Sequence, residues 1–382
     1  MFQKVRSIFI IFSILFSLNL QSDQFNSEIT LNDVNYNFDT IKLETVDNPF
    51  SFFRTFVDFY YIILKSNLNQ LPTLQSRIKN IGWCVGDAHP ENFGFLIDKK
   101  SESIFTMNDI DDSGPCPLIL DIYRLFISYN LHSNNINIAN ALENYLHGLN
   151  HEITEMPNTL KELKSKSINK GQSVPSELVE NSQLIRNSTT MELTKSELDE
   201  ITQKLLYLIP ILNKPFQILD SISYRKKNGG SAGLLRYHLL IKNDPEPILI
   251  ELKEQTIPAV SIFSSDLSPI PETKERIFLA LNYTYPREYS SIYNVINLSG
   301  RQMLVRPRFE GNLAFKLGKT SNEEALKIFN YEFYQLGLIH SKSIKNLDEW
   351  GNSVKNIQQN MLMSEINLLT EFFKKKYKSL KD

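Results

Sequence analysis

The sequence predicts a mixed α+β fold, because short strand-like runs joined by turn signals occur beside separate stretches of helical periodicity. The strand-like runs are 81–85, 93–97, 104–107, 235–241, 248–253, 295–298 and 302–305. Apolar residues recur at helical spacing in 118–131, 322–340 and 349–378. Polar or glycine-containing turns separate several of the strand-like runs, which predicts antiparallel hairpins.

The composition is that of an ordinary globular protein. The chain has 382 residues, 42% of them hydrophobic and 22% charged, which is enough for one large or two medium domains. The formal net charge of −2 argues against a dominant surface for nucleic acid or anionic membrane. We therefore expect no nucleic-acid partner.

The N-terminus has the pattern of a secretory signal. Lys4 and Arg6 precede an almost entirely apolar run from Ser7 to Leu18. This run is shorter than the ~20 apolar residues that a spanning helix needs. We predict a signal peptide over residues 1–22, export to the periplasm or outside the cell, and no stable membrane span after cleavage. An uncleaved N-terminal anchor and an ordinary buried helix are the alternatives.

The predicted domain organisation divides the rest of the chain into four parts. Residues 23–150 contain the first polar motifs, and 151–220 read as a polar helical connection rich in Lys, Glu, Ser and Asn. Residues 221–310 predict an antiparallel sheet, and 311–382 predict C-terminal helices. Alternating residues near 29–36 also suggest a short strand ahead of the first helix.

The chain has two cysteines, Cys84 and Cys116, so a single pairing is possible. An oxidising compartment would allow a disulfide. Two buried free thiols are the alternative, because the sequence does not give the distance between the two Cα atoms.

The loop after the first strand-like run carries the most informative motif. Asp87 precedes Asn92 by five positions, and His89 lies between them. Kinase-type phosphotransferases use one Asp to accept the proton of the attacking hydroxyl and an Asn to hold Mg²⁺. We therefore predict Asp87 as a catalytic residue and Asn92 as a metal ligand. His89 is a second catalytic candidate, and a structural hydrogen bond within the loop is its alternative.

A cluster of three carboxylates, Asp109, Asp111 and Asp112, follows the next predicted hairpin. Carboxylates this close repel one another unless a cation or hydrogen-bond donors compensate them. With Asn92 available, Mg²⁺ bound by Asp109 and Asp111 is the economical explanation. Asp109 is the better first ligand because it directly follows the strand. A solvated acidic turn is the alternative.

A glycine-rich turn at 228–233 lies between two predicted strands, and its amides could bind phosphates. Lys253 lies inside the next apolar strand, where an ammonium needs a partner. Kinases grip phosphates with such a loop and lysine, so we predict Gly230, Ser231, Gly233 and Lys253 as ATP-binding residues. Glu272 and Glu275 are candidates for the carboxylate that would pair with Lys253. A flexible hairpin turn is the alternative for the loop.

These motifs resemble the domain of unknown function 2252 family, over about residues 45–345. The residues that carry the resemblance are Pro49–Arg54, Gly86–His89, Asn92–Gly94, Asn108–Asp111, Gly114–Pro115, Asp121–Leu125, Gly230–Gly233, Glu251–Glu254, Arg306 and His340. Two positions differ from the family pattern. The family usually has more glycine before Gly230, where this chain has Asn228 and Gly229. In the acidic motif, Ile110 and Asp112 replace the Phe and Glu of the family.

The resemblance implies a protein-kinase-like or aminoglycoside-phosphotransferase-like fold with two lobes. The catalytic loop precedes the glycine loop and the lysine strand, which is the reverse of the usual order and indicates a permuted arrangement. We expect an ATP- and Mg²⁺-dependent phosphotransferase that acts on an unknown small-molecule or protein acceptor through a hydroxyl or amine. A nucleotidyl transferase and a catalytically silent binding module of the cell envelope are the alternatives.

Overall fold

The computed structural model describes residues 30–133, 136–212, 216–227, 229–243, 245–264, 268–285 and 289–382. The predicted signal peptide and Asn228 of the glycine-rich turn lie outside these residues.

The described residues form helices and strands in comparable number, which confirms the α+β class. The α-helices are α1 (Thr40–Glu44), α2 (Pro49–Thr55), α3 (Val57–Ser66), α4 (Pro72–Gln75), α5 (Ile119–Ser133), α6 (Ile138–Leu149), α7 (Asn158–Lys170), α8 (Lys195–Lys204), α9 (Ile209–Leu212), α10 (Ser261–Ser264), α11 (Thr273–Thr284), α12 (Asn322–Ser341), α13 (Leu347–Lys355) and α14 (Gln359–Lys381). The strands are β1 (Ile81–Cys84), β2 (Phe93–Ile97), β3 (Ser103–Met107), β4 (Gly114–Pro117), β5 (Val179–Glu180), β6 (Gln183–Leu184), β7 (Thr190–Met191), β8 (Ile218–Arg225), β9 (Leu235–Ile241), β10 (Ile248–Glu254), β11 (Asn294–Leu298), β12 (Arg301–Pro307) and β13 (Leu313–Ala314).

The largest sheet is antiparallel and has the strand order β11-β12-β10-β9-β8-β7. Alternate residues of a strand point to opposite faces, and this sheet uses its two faces differently. One face is apolar: Leu239, Ile250 and Val305 pack with Ile201 and Leu205 of the α8 region. The other face carries a row of buried charged residues, which border the site described below.

Two smaller pairings hold the segments with the predicted catalytic and metal-binding residues. The predicted hairpin forms between β2 and β3, and β13 adds to its free side. Strand β1 pairs with β4, with Gly82 opposite Cys116 and Cys84 opposite Gly114. Cys84 and Cys116 form a disulfide with Cα atoms 5.7 Å apart. They are therefore not the two free thiols that the sequence left open.

The main hydrophobic core lies among the helices and the underside of β2 and β3. Helices α2, α3, α5 and α14 contribute many buried aromatic residues, including Phe53, Tyr60 and Phe373. Helices α2 and α3 are separated at Phe56, whose backbone leaves helical geometry at ψ 67°. Most of their aromatic side chains are core residues.

Three elements differ from the sequence predictions. The single helix predicted over 349–378 is two helices, because the chain turns at Asn356 and the apolar face restarts with Leu362 in α14. The strand suggested near 29–36 does not form in its described part, where the side chains of Leu31 and Val34 pack against the core from irregular backbone. The connection predicted as polar helices also contains β5, β6 and β7, and β7 joins the large sheet.

No helix among the described residues is both long enough and apolar enough to cross a membrane.

We predict that the disulfide contributes to stability. Replacing Cys84 and Cys116 with serine should lower the free energy of unfolding by roughly 2–4 kcal/mol, because the unfolded chain loses its crosslink. Urea unfolding with and without reductant measures this. Reductant should lower the stability of the wild type and leave the double variant unchanged; equal stability of both proteins without reductant would contradict the prediction.

A second stability prediction concerns Glu332, a fully buried residue of α12. Burial raises the pKa of its carboxyl well above the ordinary value, and the neighbouring Tyr129 hydroxyl offsets this only in part. The stability that this carboxyl contributes is fully present below its unfolded pKa of about 4.3 and is lost as pH rises through the folded pKa. Glu332→Gln should therefore be the more stable protein at pH 8, by roughly 1–3 kcal/mol.

Urea unfolding at pH 5 and pH 8 tests this, with Glu275→Gln at an exposed position as control. The difference between Glu332→Gln and the wild type should be larger at pH 8. A constant difference across this range would show that Glu332 does not titrate with an elevated pKa.

Candidate functional site

The loop that carries Asp87 is anchored by a buried carboxylate. Asp121, in the first turn of α5, accepts hydrogen bonds from the backbone amides of Val85 (2.6 Å) and Gly86 (3.1 Å). Gly86 has a φ of +84°, and a Cβ there would lie 2.0 Å from the carbonyl oxygen of Asp112. Only glycine therefore allows this loop to contact the acidic loop at Asp112.

Asp121 is itself held by a chain of buried side chains. Nε2 of His340 lies 3.1 Å from Asp121, Nδ1 lies 2.7 Å from the Tyr145 hydroxyl, and the Trp350 indole donates to that hydroxyl at 2.8 Å. The indole N–H can only donate, so the Tyr145 hydroxyl has its own proton free to donate to Nδ1. His340 then carries its proton on Nε2 and donates it to Asp121.

Asp87 is fixed by three side chains. Arg124, which is fully buried, contacts Oδ1 of Asp87 through Nη2 and donates from Nε at 2.9 Å. Asn92 donates from Nδ2 to Oδ2 of Asp87 at 3.1 Å and to its backbone carbonyl at 3.0 Å. Burial acts to raise the pKa of Asp87, but the charge of Arg124 and the contact with His89 outweigh it and hold the pKa well below the usual range. Asp87 is therefore ionised and oriented.

His89 lies behind Asp87 and is almost completely buried. Its Nε2 lies 3.4 Å from Oδ2 of Asp87. Burial lowers its pKa more than the contact with Asp87 raises it, so the ring is neutral at neutral pH. Among the described residues, Nδ1 has no hydrogen-bond partner.

The acidic loop is joined to the large sheet by Lys253 of β10. The ammonium of Lys253 lies 2.8 Å from Oδ2 of Asp109 and also contacts Oδ2 of Asp111. Burial acts to raise the pKa of Asp109, but Lys253 and then Arg306 outweigh it and hold the pKa well below the usual range. Asp112 forms no ion pair with any described residue. Burial, with the charge of Asp87 as the next cause, raises its pKa to about 7.

Helix α11 faces the acidic loop with an arginine. Arg276 is buried and donates from Nη1 to the backbone carbonyls of Asp111 (2.6 Å) and Ser113 (3.2 Å). Glu272 and Glu275, the predicted partners of Lys253, are exposed and do not contact it, so this prediction was wrong. The spacing along the helix turns position 276 to the loop and position 275 to solvent.

Glu251 organises the charged face of the large sheet. Its carboxylate accepts from Arg306 Nε (2.8 Å) and from Arg236 Nη1 (2.9 Å), and His238 Nε2 lies 3.3 Å away. Burial acts to raise the pKa of Glu251, but Arg306 and the neighbouring arginines hold it well below the usual value. Two guanidinium groups are thereby fixed beside Lys253 on one side of the sheet.

The glycine-rich turn connects β8 to β9, as predicted. Gly233, with a φ of +83°, closes the turn by donating its amide to Lys226 at 2.8 Å. Gly230 lies against α2, where a Cβ would be 3.4 Å from the Arg54 carbonyl, and its own carbonyl accepts from Lys42 at 2.9 Å. Among the residues that the structure describes, the amides of Gly230 and Ser231 donate no hydrogen bond.

One small cleft brings most of these residues together. Its lining is Arg54, Asp87, His89, Asn92, Asp109, Asp111, Asp112, Lys226, Gly229, Gly230 and Ser231. Seven of the nine predicted site residues are in this set; Gly233 closes the turn outside the cleft, and Lys253 lies behind Asp109 and Asp111.

Sequence reasoning missed several residues that shape the cleft. Arg54 forms an ion pair with Glu91 at its edge, and Lys226 and Asp112 line it. Arg124 was part of a recognised motif without an assigned role, although a charged residue in an apolar helix was a signal that it had a buried partner.

A larger cavity of about 460 Å³ lies elsewhere, lined by Trp83, Tyr283, Ser343 and their neighbours. We place the candidate site in the smaller cleft, because Asp87, Asp109 and Asp111 converge there with the glycine-rich turn.

The cleft fits magnesium better than metals that need an all-protein cage. Asp109, Asp111 and the amide oxygen of Asn92 supply the oxygen ligands that Mg²⁺ prefers, with water and phosphate completing its shell. Within the described ranges, no group of three or more His, Cys, Asp or Glu side chains is arranged to hold a metal ion.

Residues 42–205 match a family described as an uncharacterized protein conserved in bacteria (DUF2252). The match includes Asp87, Asn92, Asp109 and Asp111 and ends before the glycine-rich turn. Over these residues the resemblance found in the sequence is confirmed. No curated protein and no solved structure matches the chain.

We predict that Asp121 is needed to hold the Asp87 loop. Asp121→Asn should lower the free energy of unfolding by about 1–3 kcal/mol, because an amide replaces one of the two acceptor oxygens and leaves a buried donor unpaired. Urea unfolding measures this, with Asp199→Asn on the exposed side of α8 as control. Equal stabilities of the two variants would contradict the anchoring role.

Proposed function

We propose that this chain is an ATP- and Mg²⁺-dependent phosphotransferase that acts on a hydroxyl or amine acceptor. One observation carries the proposal. Asp87, Asn92, Asp109 and Asp111 line the same cleft as Gly230 and Ser231, and Lys253, which is 144 residues from Asp109, bonds to that carboxylate. Kinase-type phosphoryl transfer requires this combination of groups.

Asp87 would accept the proton of the acceptor and orient it toward the phosphate. Arg124 and Asn92 keep its carboxylate ionised and in one orientation. A strong base is not required, since the transition state of phosphoryl transfer is loose and catalysis depends mainly on positioning and charge. His89 would position Asp87, because its neutral ring is buried behind that carboxylate.

Asn92, Asp109 and Asp111 would hold Mg²⁺, which neutralises phosphate charge when it is bound. The ammonium of Lys253 already neutralises Asp109 and Asp111. Phosphate oxygens could replace these carboxylates as partners of the Lys253 ammonium. Asp109 and Asp111 would then be available to hold the metal.

The proposal includes a kinase-like fold with two lobes and permuted order. The loops with Asp87 and Asp109 would belong to the catalytic lobe, and the sheet from β8 to β12 would be the nucleotide-gripping lobe. The cleft measures only about 70 Å³, against ~300–1,000 Å³ for typical ligand pockets. A neighbouring pocket of about 200 Å³ shares Gly230 and Ser231 with the cleft. To admit ATP, the ligand would extend into that pocket or the glycine-rich turn would move outward.

Export is also part of the proposal. The Cys84–Cys116 disulfide favours an oxidising compartment, in agreement with the signal-like N-terminus. An anchor retained at the N-terminus would leave the site in the same compartment.

A catalytically silent binding module is the second candidate. It is favoured by the ion pairs that the acidic groups already form. Arg124 pairs with Asp87, and Lys253 pairs with both Asp109 and Asp111. A nucleotidyl transferase would use the same contacts, and the product of the reaction distinguishes it.

The test is mass spectrometry of the purified protein with ATP and Mg²⁺, alone and with a small-molecule extract. We expect phosphorylated products, and Asp87→Asn should reduce their rate of formation about 10²–10⁴-fold while ATP binding changes little. Asp199→Asn is the matched control at an exposed site. ATP binding without any transfer by the wild type would favour the binding module, and nucleotidylated products would favour the transferase. Full activity of Asp87→Asn would remove Asp87 from its role.

A further inference from the structure

Lys226 is a cation in the cleft that forms no ion pair with the residues that the structure describes. It follows β8 directly, is half-buried and lines the cleft beside Asp87 and Gly230. Among the residues that the structure describes, no carboxylate lies within ion-pair distance of its ammonium, whose one hydrogen bond is to Oγ of Ser231 at 3.4 Å. Burial, with repulsion from Arg236 as the next cause, lowers its pKa to about 8.

The other cations around the cleft are already neutralised. Lys253 contacts two carboxylates, Arg54 pairs with Glu91, and Arg124 pairs with Asp87. A partly desolvated ammonium without a partner is costly, and an anion from outside the protein would relieve the cost. Of these cleft cations, Lys226 is the one whose charge an anionic ligand would compensate.

Further hydrogen-bond donors belong to the same turn as Lys226. The amides of Gly230 and Ser231 donate no hydrogen bond among the described residues, and Arg236 donates from Nη2 to the Ser231 hydroxyl at 3.0 Å. Backbone amides grouped in a turn form concave sites for phosphate oxygens. Asp109 and Asp111 line the same cleft and would repel an anion that lacked a metal.

We propose that Lys226, together with the amides of Gly230 and Ser231, binds a phosphoryl group of a polyphosphate ligand. The identification of this ligand as ATP rests on the proposed function, whereas binding of the polyphosphate chain does not. Lys253 then serves mainly to hold the acidic loop against the sheet, and Lys226 is the residue that recognises the ligand.

Calorimetric titration with inorganic tripolyphosphate in buffer that contains Mg²⁺ tests the site. We compare the wild type with Lys226→Met, Lys226→Arg and the control Lys227→Met, which changes the exposed neighbouring lysine. Lys226→Met should weaken binding about 10- to 100-fold, the loss expected for one charge-assisted hydrogen bond. Lys226→Arg should stay within a few-fold of the wild type, and Lys227→Met should not change the affinity.

Unfolding without ligand shows whether Lys226→Met is folded, and we expect it to be at least as stable as the wild type. The proposal is overturned if the wild type does not bind tripolyphosphate, if Lys226→Met binds it as tightly as the wild type, or if Lys227→Met weakens binding equally. Lysine-dependent binding without phosphoryl transfer would leave this site standing and remove the phosphotransferase function. Phosphoryl transfer that depends on Asp87 but not on Lys226 would support the phosphotransferase function and remove the Lys226 site.

Discussion

The ion pairs of Lys253 with Asp109 and Asp111 connect the two parts of the molecule that form the cleft. A fully buried ammonium in a strand requires compensating charge, and here the acidic loop supplies it. The same contact relieves the repulsion among the carboxylates of that loop. Since Glu251 fixes Arg236 and Arg306 on the same face of the sheet, the large sheet presents a positive surface to a negative loop. This complementarity determines where the cleft lies.

Strands and local motifs could be predicted because their signals are short-range. The pairing of β2 with β3 and the strands β9 and β10 follow from apolar alternation and turn residues. The need of Lys253 for a partner was also readable from its apolar strand. The identity of that partner was not, since Asp109 is 144 residues away, and the nearer glutamates Glu272 and Glu275 were chosen instead. The helical spacing directs Arg276 toward the acidic loop and leaves Glu272 and Glu275 exposed to solvent.

The contacts that determine the chemistry of the cleft could not be predicted, because they depend on side chains from distant elements. Arg124 reaches Asp87 from α5 and makes it a fixed, fully ionised group. Lys226 differs from Lys227 only by one position in the sequence, yet it lines the cleft while Lys227 is exposed. The alternation of side chains at the end of β8 makes this difference. A charge becomes informative only when its neighbours are known.

The disulfide has a consequence for the distances within the cleft. Cys84 lies opposite Gly114, and Cys116 lies opposite Gly82. A slip of one residue between β1 and β4 would turn one cysteine to the other face of the ribbon, so the covalent bond excludes that slip. Asp87 follows Cys84 by three residues, and Asp112 precedes Gly114 by two. The disulfide therefore restricts sliding of β1 along β4. It thereby limits how closely the carboxylate of Asp87 in one loop approaches that of Asp112 in the other.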